Sequence, residues 1–235
     1  MLLLVVDTSG RNGSLALAAY AEKTNACDMV ECVPLTGGTF SAELVPRMAA
    51  LLWKHGFDLK KVDGFAVVSG PGSFTGLRIG LAAIKALGEV TSKPIAAVSL
   101  LEALAVTSGV EGRVWTAIDA GRAESYVGSY EVHGARATLI AESLLTQSQL
   151  FVAAAGSTVV TFDQVVADWI RARVPGVPEP HFKQISAPGM RDIARIGGQK
   201  ILAGETVTAE GLEANYIRRS DPDALRERQF RARGS

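Results

Sequence analysis

The chain has 235 residues, 48% of them hydrophobic and 20% charged, with a formal net charge of zero. That balance excludes a disordered or polycationic chain and leaves a globular one, long enough for one large domain or two small ones. No run approaches the length of a membrane span, and Cys27 and Cys32 have neither CxxC spacing nor clustered histidines, so they read as reduced thiols of a cytosolic protein.

Residues 1–6 are apolar but meet Asp7 at once and have no basic region before them, so they read as a first strand and not as a signal peptide. Segments 2–6, 14–20 and 29–35 predict three strands, and the short polar connections between them predict an antiparallel meander. A helix is expected over 41–55, with Ser41 as its N-cap, Gly56 as its stop, and Leu44, Met48, Leu51 and Leu52 on one face. Pro46 is tolerated only near a first turn, which predicts that the ordered part begins two or three residues after Ser41.

A strand over 62–68 then runs through Gly70-Pro71-Gly72-Ser73-Phe74-Thr75-Gly76-Leu77-Arg78-Ile79-Gly80 into a helix over 77–89. Backbone N–H groups and a helix dipole at such a junction suit an anion; equally, the glycines let the turn pass close to neighbouring backbone. A Walker loop is excluded because Leu77 and Arg78 follow the last Gly of the turn, and a dinucleotide fingerprint because Thr75 stands where it needs Gly. Between Leu77 and Leu87 only Arg78 and Lys85 are charged, and Gly76 and Gly80 are spaced for close backbone approach. A helix apolar nearly all round must be covered nearly all round, by its own sheet on one side and by another element or a partner on the other. The helix over 41–55 is expected to lie beside it, so that the pair offers a surface a second pair could complete.

A strand over 94–98 and a helix over 99–107 follow, which makes the class α/β with a parallel extension of the sheet. The second half starts again: residues 114–122 echo residues 3–11, each an apolar strand ending in Asp before a turn with Gly and Arg. Further strands are expected over 137–142 and 158–162, helices over 164–173 and 190–202, a Pro-rich turn over 175–180, and a short strand or ordered tail over 216–218. The Arg-rich residues after Asp221 are assigned no fixed structure; they read as a solvated tail, with contact to nucleic-acid phosphates as the alternative.

The eleven residues 70–80 resemble the signature of the TsaB (YeaZ) family, relatives of the TsaD transferases in the actin-like, sugar-kinase and Hsp70 superfamily. The resemblance covers roughly the first half of the chain and implies an actin-like (ASKHA, ribonuclease H-like) duplicated fold. Its two βββαβαβα halves would span residues 1–108 and 109–235, with the second degenerate. It places Asp7, Thr8, Gly70, Gly72, Gly76 and Asp119 at a vestigial nucleotide site; the alternative is that each Asp caps its own turn. TsaD carries a His-x-x-x-His metal pair at positions matched here by Leu100 and Leu104, which cannot bind a metal, and His55, His133 and His181 are isolated in sequence. The resemblance therefore implies no catalytic residue, no metal and no cofactor bound by this chain alone, with ATP and metal used by partner subunits.

The implied function is that of a non-catalytic subunit in the synthesis of N6-threonylcarbamoyladenosine at tRNA position 37. Its partners would be a TsaD-like transferase and a TsaE-like ATPase, with a homodimer when alone, tRNA reached indirectly, no membrane, and a cytoplasmic location. Leu44, Met48, Leu51, Leu52, Leu81, Ile84 and Lys85 are expected to contact the partner, and Ser73, Phe74, Thr75 and Arg78 to shape the turn beside it. The alternative is an actin-like ATP-binding small-molecule kinase or ATPase, in which Asp7, Thr8, Asp119 and the turn converge on a nucleotide; a metalloprotease conflicts with Leu100 and Leu104. Ser69, Phe40 and Ala214 depart from the family pattern, where Arg, His and Pro are usual.

Overall fold

Alternation along β1 (Leu2–Asp7) sends Leu3 and Val5 to one side and Leu4 and Val6 to the other, and all four are fully buried. A strand apolar on both sides needs helices on both faces of its sheet. The computed structural model describes residues 1–172 and 180–217, and it supplies those helices. β2 (Gly13–Ala21) and β3 (Ala26–Leu35) form the expected antiparallel meander with β1, while β4 (Gly64–Gly70) and β5 (Ile95–Ser99) extend the sheet in parallel, in the order β3-β2-β1-β4-β5.

The second sheet repeats the plan. β6 (Gly112–Gly121), β7 (Glu124–His133) and β8 (Arg136–Thr146) are antiparallel, and β9 (Thr158–Thr161) and β10 (His181–Gln184) add in parallel, in the order β10-β9-β6-β7-β8. Read from β8, this is the order of the first sheet, so the echo between residues 3–11 and 114–122 marks a duplicated fold. The second copy is the shorter in its helices. α1 (Phe40–Lys54) and α2 (Phe74–Thr91) have 15 and 18 residues, their counterparts α4 (Gln147–Ala153) and α5 (Gln164–Arg171) only 7 and 8.

Each half lends its last helix to the other sheet. α3 (Leu100–Thr107) packs Leu101, Leu104 and Ala105 on Val114, Tyr130, Val132 and Val160 of the second sheet. α6 (Met190–Leu202) crosses all five strands of the first, setting Ile193, Ala194 and Ile196 against Leu3, Val5, Ala66 and Val68. Residues 205–217 then return along the first sheet: Val207 N–H donates to Ile95 O (2.9 Å), Leu212 is buried in the core, and Asn215 N–H donates to Ser69 O (2.8 Å). Tyr216 and Ile217 end this strap without joining a strand; Arg218, the residues after Asp221 and most of the Pro-rich turn lie outside the described residues.

Several boundaries differ from those expected. α1 starts at Phe40 with Thr39 as its N-cap and runs through Pro46, whose missing N–H leaves one carbonyl, that of Ala42, to solvent on the exposed side. α2 starts three residues early, at Phe74, because the Ser73 hydroxyl accepts the Gly76 N–H (3.3 Å) and so brings Phe74-Thr75-Gly76 into the first turn. α4 and β10 had no periodic signal. α4 is held by a capping box in which Thr146 N–H donates to the Gln149 side chain (2.9 Å), and β10 is a four-residue polar edge strand.

Candidate functional site

The glycines of the signature turn face the chain's own backbone. A Cβ at Gly76 would stand 2.1 Å from Thr8 O, one at Gly72 2.3 Å from Ser9 O, and one at Gly80 2.3 Å from Thr8 Oγ1. Ser73 N–H donates to Ser9 O (2.6 Å), so the β1–β2 turn fills the cradle that an anion would otherwise enter. Of the two readings of this turn, the geometry is that of close approach. The phenyl ring of Phe40, the residue that departs from the family pattern, packs into the same junction beside Gly13 and Gly76.

The acidic turns are likewise satisfied from within. Asp7 Oδ1 accepts Ser9 N–H (2.8 Å) and the Ser9 hydroxyl (2.6 Å), and Asp119 Oδ1 accepts Gly121 N–H (3.0 Å). Thr8 is buried with its hydroxyl unpartnered, and Gly70 holds a φ of +129° against Asn215. The residues assigned to a vestigial nucleotide site are thus two self-capped turns and a close-packed junction, which does not fit a bound phosphate. Leu104 is fully buried in the α3 core and Leu100 packs on the first sheet's other core. Among the described residues no group of three His, Cys, Asp or Glu could hold a metal. His55 and Lys54 instead flank Glu31 (both 2.7 Å), and their hydrogen bonds, that of Lys54 first, hold its carboxyl below the usual range.

The residues expected at a partner surface divide into two groups. Leu44, Met48, Leu51, Leu52, Leu81 and Ile84 are buried in the chain's own core, because the strongest apolar stripe of each helix turns to its sheet. Their expected contact with a partner is thereby corrected. Lys85 is half-buried, while Ser73, Phe74, Thr75 and Arg78 are exposed.

The free faces of the two adjoining helices carry other residues. On α1 one exposed row is Ser41, Val45, Ala49 and Trp53, beside a second of Ala42, Pro46, Ala50 and Lys54; on α2 an exposed row is Phe74, Arg78, Ala82, Ala86 and Val90, with Thr75 and Glu89 also exposed. Each row repeats every four residues and so forms a ridge that winds about 40° per step around its helix. Trp53 is 84% exposed and Val90 82%, with alanines between that let another helix approach closely. The rows were legible in the sequence as a second, weaker apolar stripe, and the stronger inner stripe masked them.

Arg78 is tied to the strap. Its guanidinium lies 3.5 Å from the Phe74 ring centroid, its Nε donates to the Tyr216 hydroxyl (3.0 Å), and the Phe74 and Tyr216 centroids are 5.4 Å apart. The residue that opens the α2 row is therefore positioned by the end of the described chain, an association that sequence spacing cannot reveal.

Two sheets of order 3-2-1-4-5 with exchanged last helices define a duplicated actin-like, ribonuclease H-like protein, and the glycine junction beside an open helix pair is its distinguishing site. Residues 35–174, more than half of the chain, match the family described as TsaD: tRNA N6-adenosine threonylcarbamoyltransferase. The chain belongs to that family, in its TsaB (YeaZ) branch.

It is similar to the tRNA threonylcarbamoyladenosine biosynthesis protein TsaB of Bacillus subtilis, with 33% identity over 132 residues that cover 56% of each chain. The protein of the same name from Haemophilus influenzae is 32% identical over 105 residues, 45% of this chain and 42% of that one. The chain thus spans about half the length of these curated relatives it matches. The solved structure of YeaZ from Pseudomonas aeruginosa superposes with a TM-score of 0.70 at 27% identity, over 92% of this chain and 100% of that one.

Proposed function

We propose that this chain is a non-catalytic subunit in the synthesis of N6-threonylcarbamoyladenosine in tRNA, pairing with a TsaD-type transferase through the outer face of α1 and α2. The observation that carries the reading is the double row of exposed small and apolar residues from Val45 to Trp53 and from Phe74 to Val90. The stretch matching the transferase family includes both helices, so a relative with like helices could pack on them about an approximate twofold axis. The relatives, tRNA threonylcarbamoyladenosine biosynthesis proteins by name, supply the pathway.

A second copy of this chain meets the same requirement, which makes a homodimer the resting form and exchange of partners the route to the heterodimer. A TsaE-type ATPase joins as a further partner, tRNA is reached through the complex, and ATP and metal are used by the other subunits. The apolar Leu100 and Leu104, where TsaD has its histidine pair, support a role without catalysis. Residues 1–108 act as the partner-binding half and 109–235 as its support. No helix of the described residues is long and apolar enough to cross a membrane, and the reading places the protein in the cytoplasm.

The test is size-exclusion chromatography with light scattering on this chain, alone and mixed with a TsaD-type partner. Val45→Asp is expected to leave a folded monomer that no longer pairs, and Trp53→Ala a folded chain whose pairing is weakened about tenfold or more. Pairing unchanged in both variants would remove this face from the proposal.

A further inference from the structure

Between the halves, where β8 meets the strap, lies a cleft of about 550 Å³ lined by residues of both sheets, of α3 and α6, and by Asn215. That volume lies within the range of small-molecule sites. At its wall the Glu142 carboxylate gathers three donors from three different elements. Oε1 accepts the Ser99 hydroxyl (2.7 Å) and the Tyr130 hydroxyl, and Oε2 accepts the Asn215 side-chain amide. Burial foremost, and the Glu142 charge after it, push the Tyr130 phenol upward, so it stays protonated and remains a donor.

All three donors are neutral, so they orient the carboxylate without cancelling its charge. The other ionic groups of the cleft pair among themselves: Lys200 with Glu102 (2.9 Å) and Arg136 with Glu205. Glu142 is left as the lining carboxylate without a cation among the described residues. A carboxylate offers about four lone-pair sites, and Oε2 has used one of its two. A metal ion is disfavoured there, because the nearest partners of Glu142 present hydrogens and not lone pairs.

We propose that this cleft binds a small organic ammonium ion, whose N–H group donates to the free lone pair of Glu142 Oε2. The cation supplies the charge that the three neutral donors do not, and the hydroxyl-rich wall around it suits a polar, metabolite-sized molecule. The ligand would bridge the halves, since Ser99 ends β5, Glu142 lies on β8 and Asn215 belongs to the strap.

The full chain, labelled with ¹⁵N, would be titrated with glycinamide and with ethanolamine, using acetamide and ethylene glycol as neutral analogues. Saturable shifts at Ser99 and Asn215 with the two amines alone are expected. Glu142→Gln should weaken binding about tenfold or more, the effect of losing a charged hydrogen bond. Asn215→Ala frees the second lone pair of Oε2 and should retain or tighten amine binding, and it decides the matter if the Glu142 variant fails to fold. Absence of saturable shifts at millimolar amine, equal response to the neutral analogues, or amine binding lost in Asn215→Ala would overturn the proposal.

Discussion

The junction from β4 to α2 and its counterpart from β9 to α5 join the same two elements by different means. In the first half, glycines at 72, 76 and 80 let the turn and helix touch the backbone of Thr8 and Ser9. In the second, no glycine intervenes, and Asp163 caps α5 by accepting the N–H groups of Val165 (2.9 Å) and Val166 (3.4 Å). The close junction launches an 18-residue helix that buries Leu77, Leu81 and Ile84 and still leaves an outer apolar row. The capped junction launches an 8-residue helix that buries Val166, Ala167 and Ile170 and does little more than close its sheet. The strand order is the same in both halves, and the helices differ: 18 residues with an exposed outer row in the first, 8 in the second.

The largest test of that contrast is a charge inside the first half. Ile84→Asp places a carboxylate at a fully buried site and should cost about 4 kcal/mol or more, seen as loss of the cooperative urea transition. A stable Ile84→Asp protein would mean that α2 is not packed as described. Gly76→Val comes next, at about 3 kcal/mol, because even its Cβ would overlap the Thr8 carbonyl. Asp163→Ala should cost only about 1 kcal/mol, the worth of a helix cap. Equal costs for these two, measured by the same denaturant midpoint, would erase the distinction between the junctions.

Trp53→Ala separates stability from association: a change within about 0.5 kcal/mol in the isolated chain, with pairing weakened about tenfold or more. Val165→Asp, at an exposed apolar position of α5, is the matching control and should leave pairing unchanged.

The smallest effect concerns pH, and its sign differs between two carboxylates. Lys54 and His55 lower Glu31, so its contribution to stability is present above the ordinary 4.5 and lost as pH falls through the lowered value. Burial raises Glu102, against the opposing pull of Lys200, so its contribution is full below 4.5 and lost as pH rises through the raised value. Melting temperatures across pH should therefore move in opposite directions when wild type is compared with Glu31→Gln and with Glu102→Gln. Parallel trends would show that one of the two environments is misassigned.

Much of this architecture was legible before folding. Strand alternation and strand-helix alternation sufficed for the meander and its parallel extension, and the repeated strand–Asp–Gly turn disclosed the duplication. β10 escaped because His-Phe-Lys-Gln lacks the β-branched run that marks the equally short β9, and α4 because seven residues are too few for a helical period to emerge. The inner rows of α1 and α2 were expected outside for a different reason. Leu44, Met48, Leu81 and Ile84 carry the strongest helical periodicity, and the chain's own sheet claims that stripe first. The cluster of Ser99, Tyr130, Glu142 and Asn215 was out of reach altogether, since its members stand 12 to 73 residues from Glu142 in sequence.

The sequence by itself determined most of the strands and helices, where the duplication begins, and that residues 70–80 form a close-packed junction or an anion cradle. Local sterics and periodicity act within a few residues and are written there. Only the tertiary structure decided between those two uses of the junction, by filling it with Thr8 and Ser9. It also decided that α3 and α6 exchange sheets, and which row of α1 and α2 is left outside. An amphipathic helix records that one face must be covered; what covers it depends on competition among surfaces brought together by the whole chain.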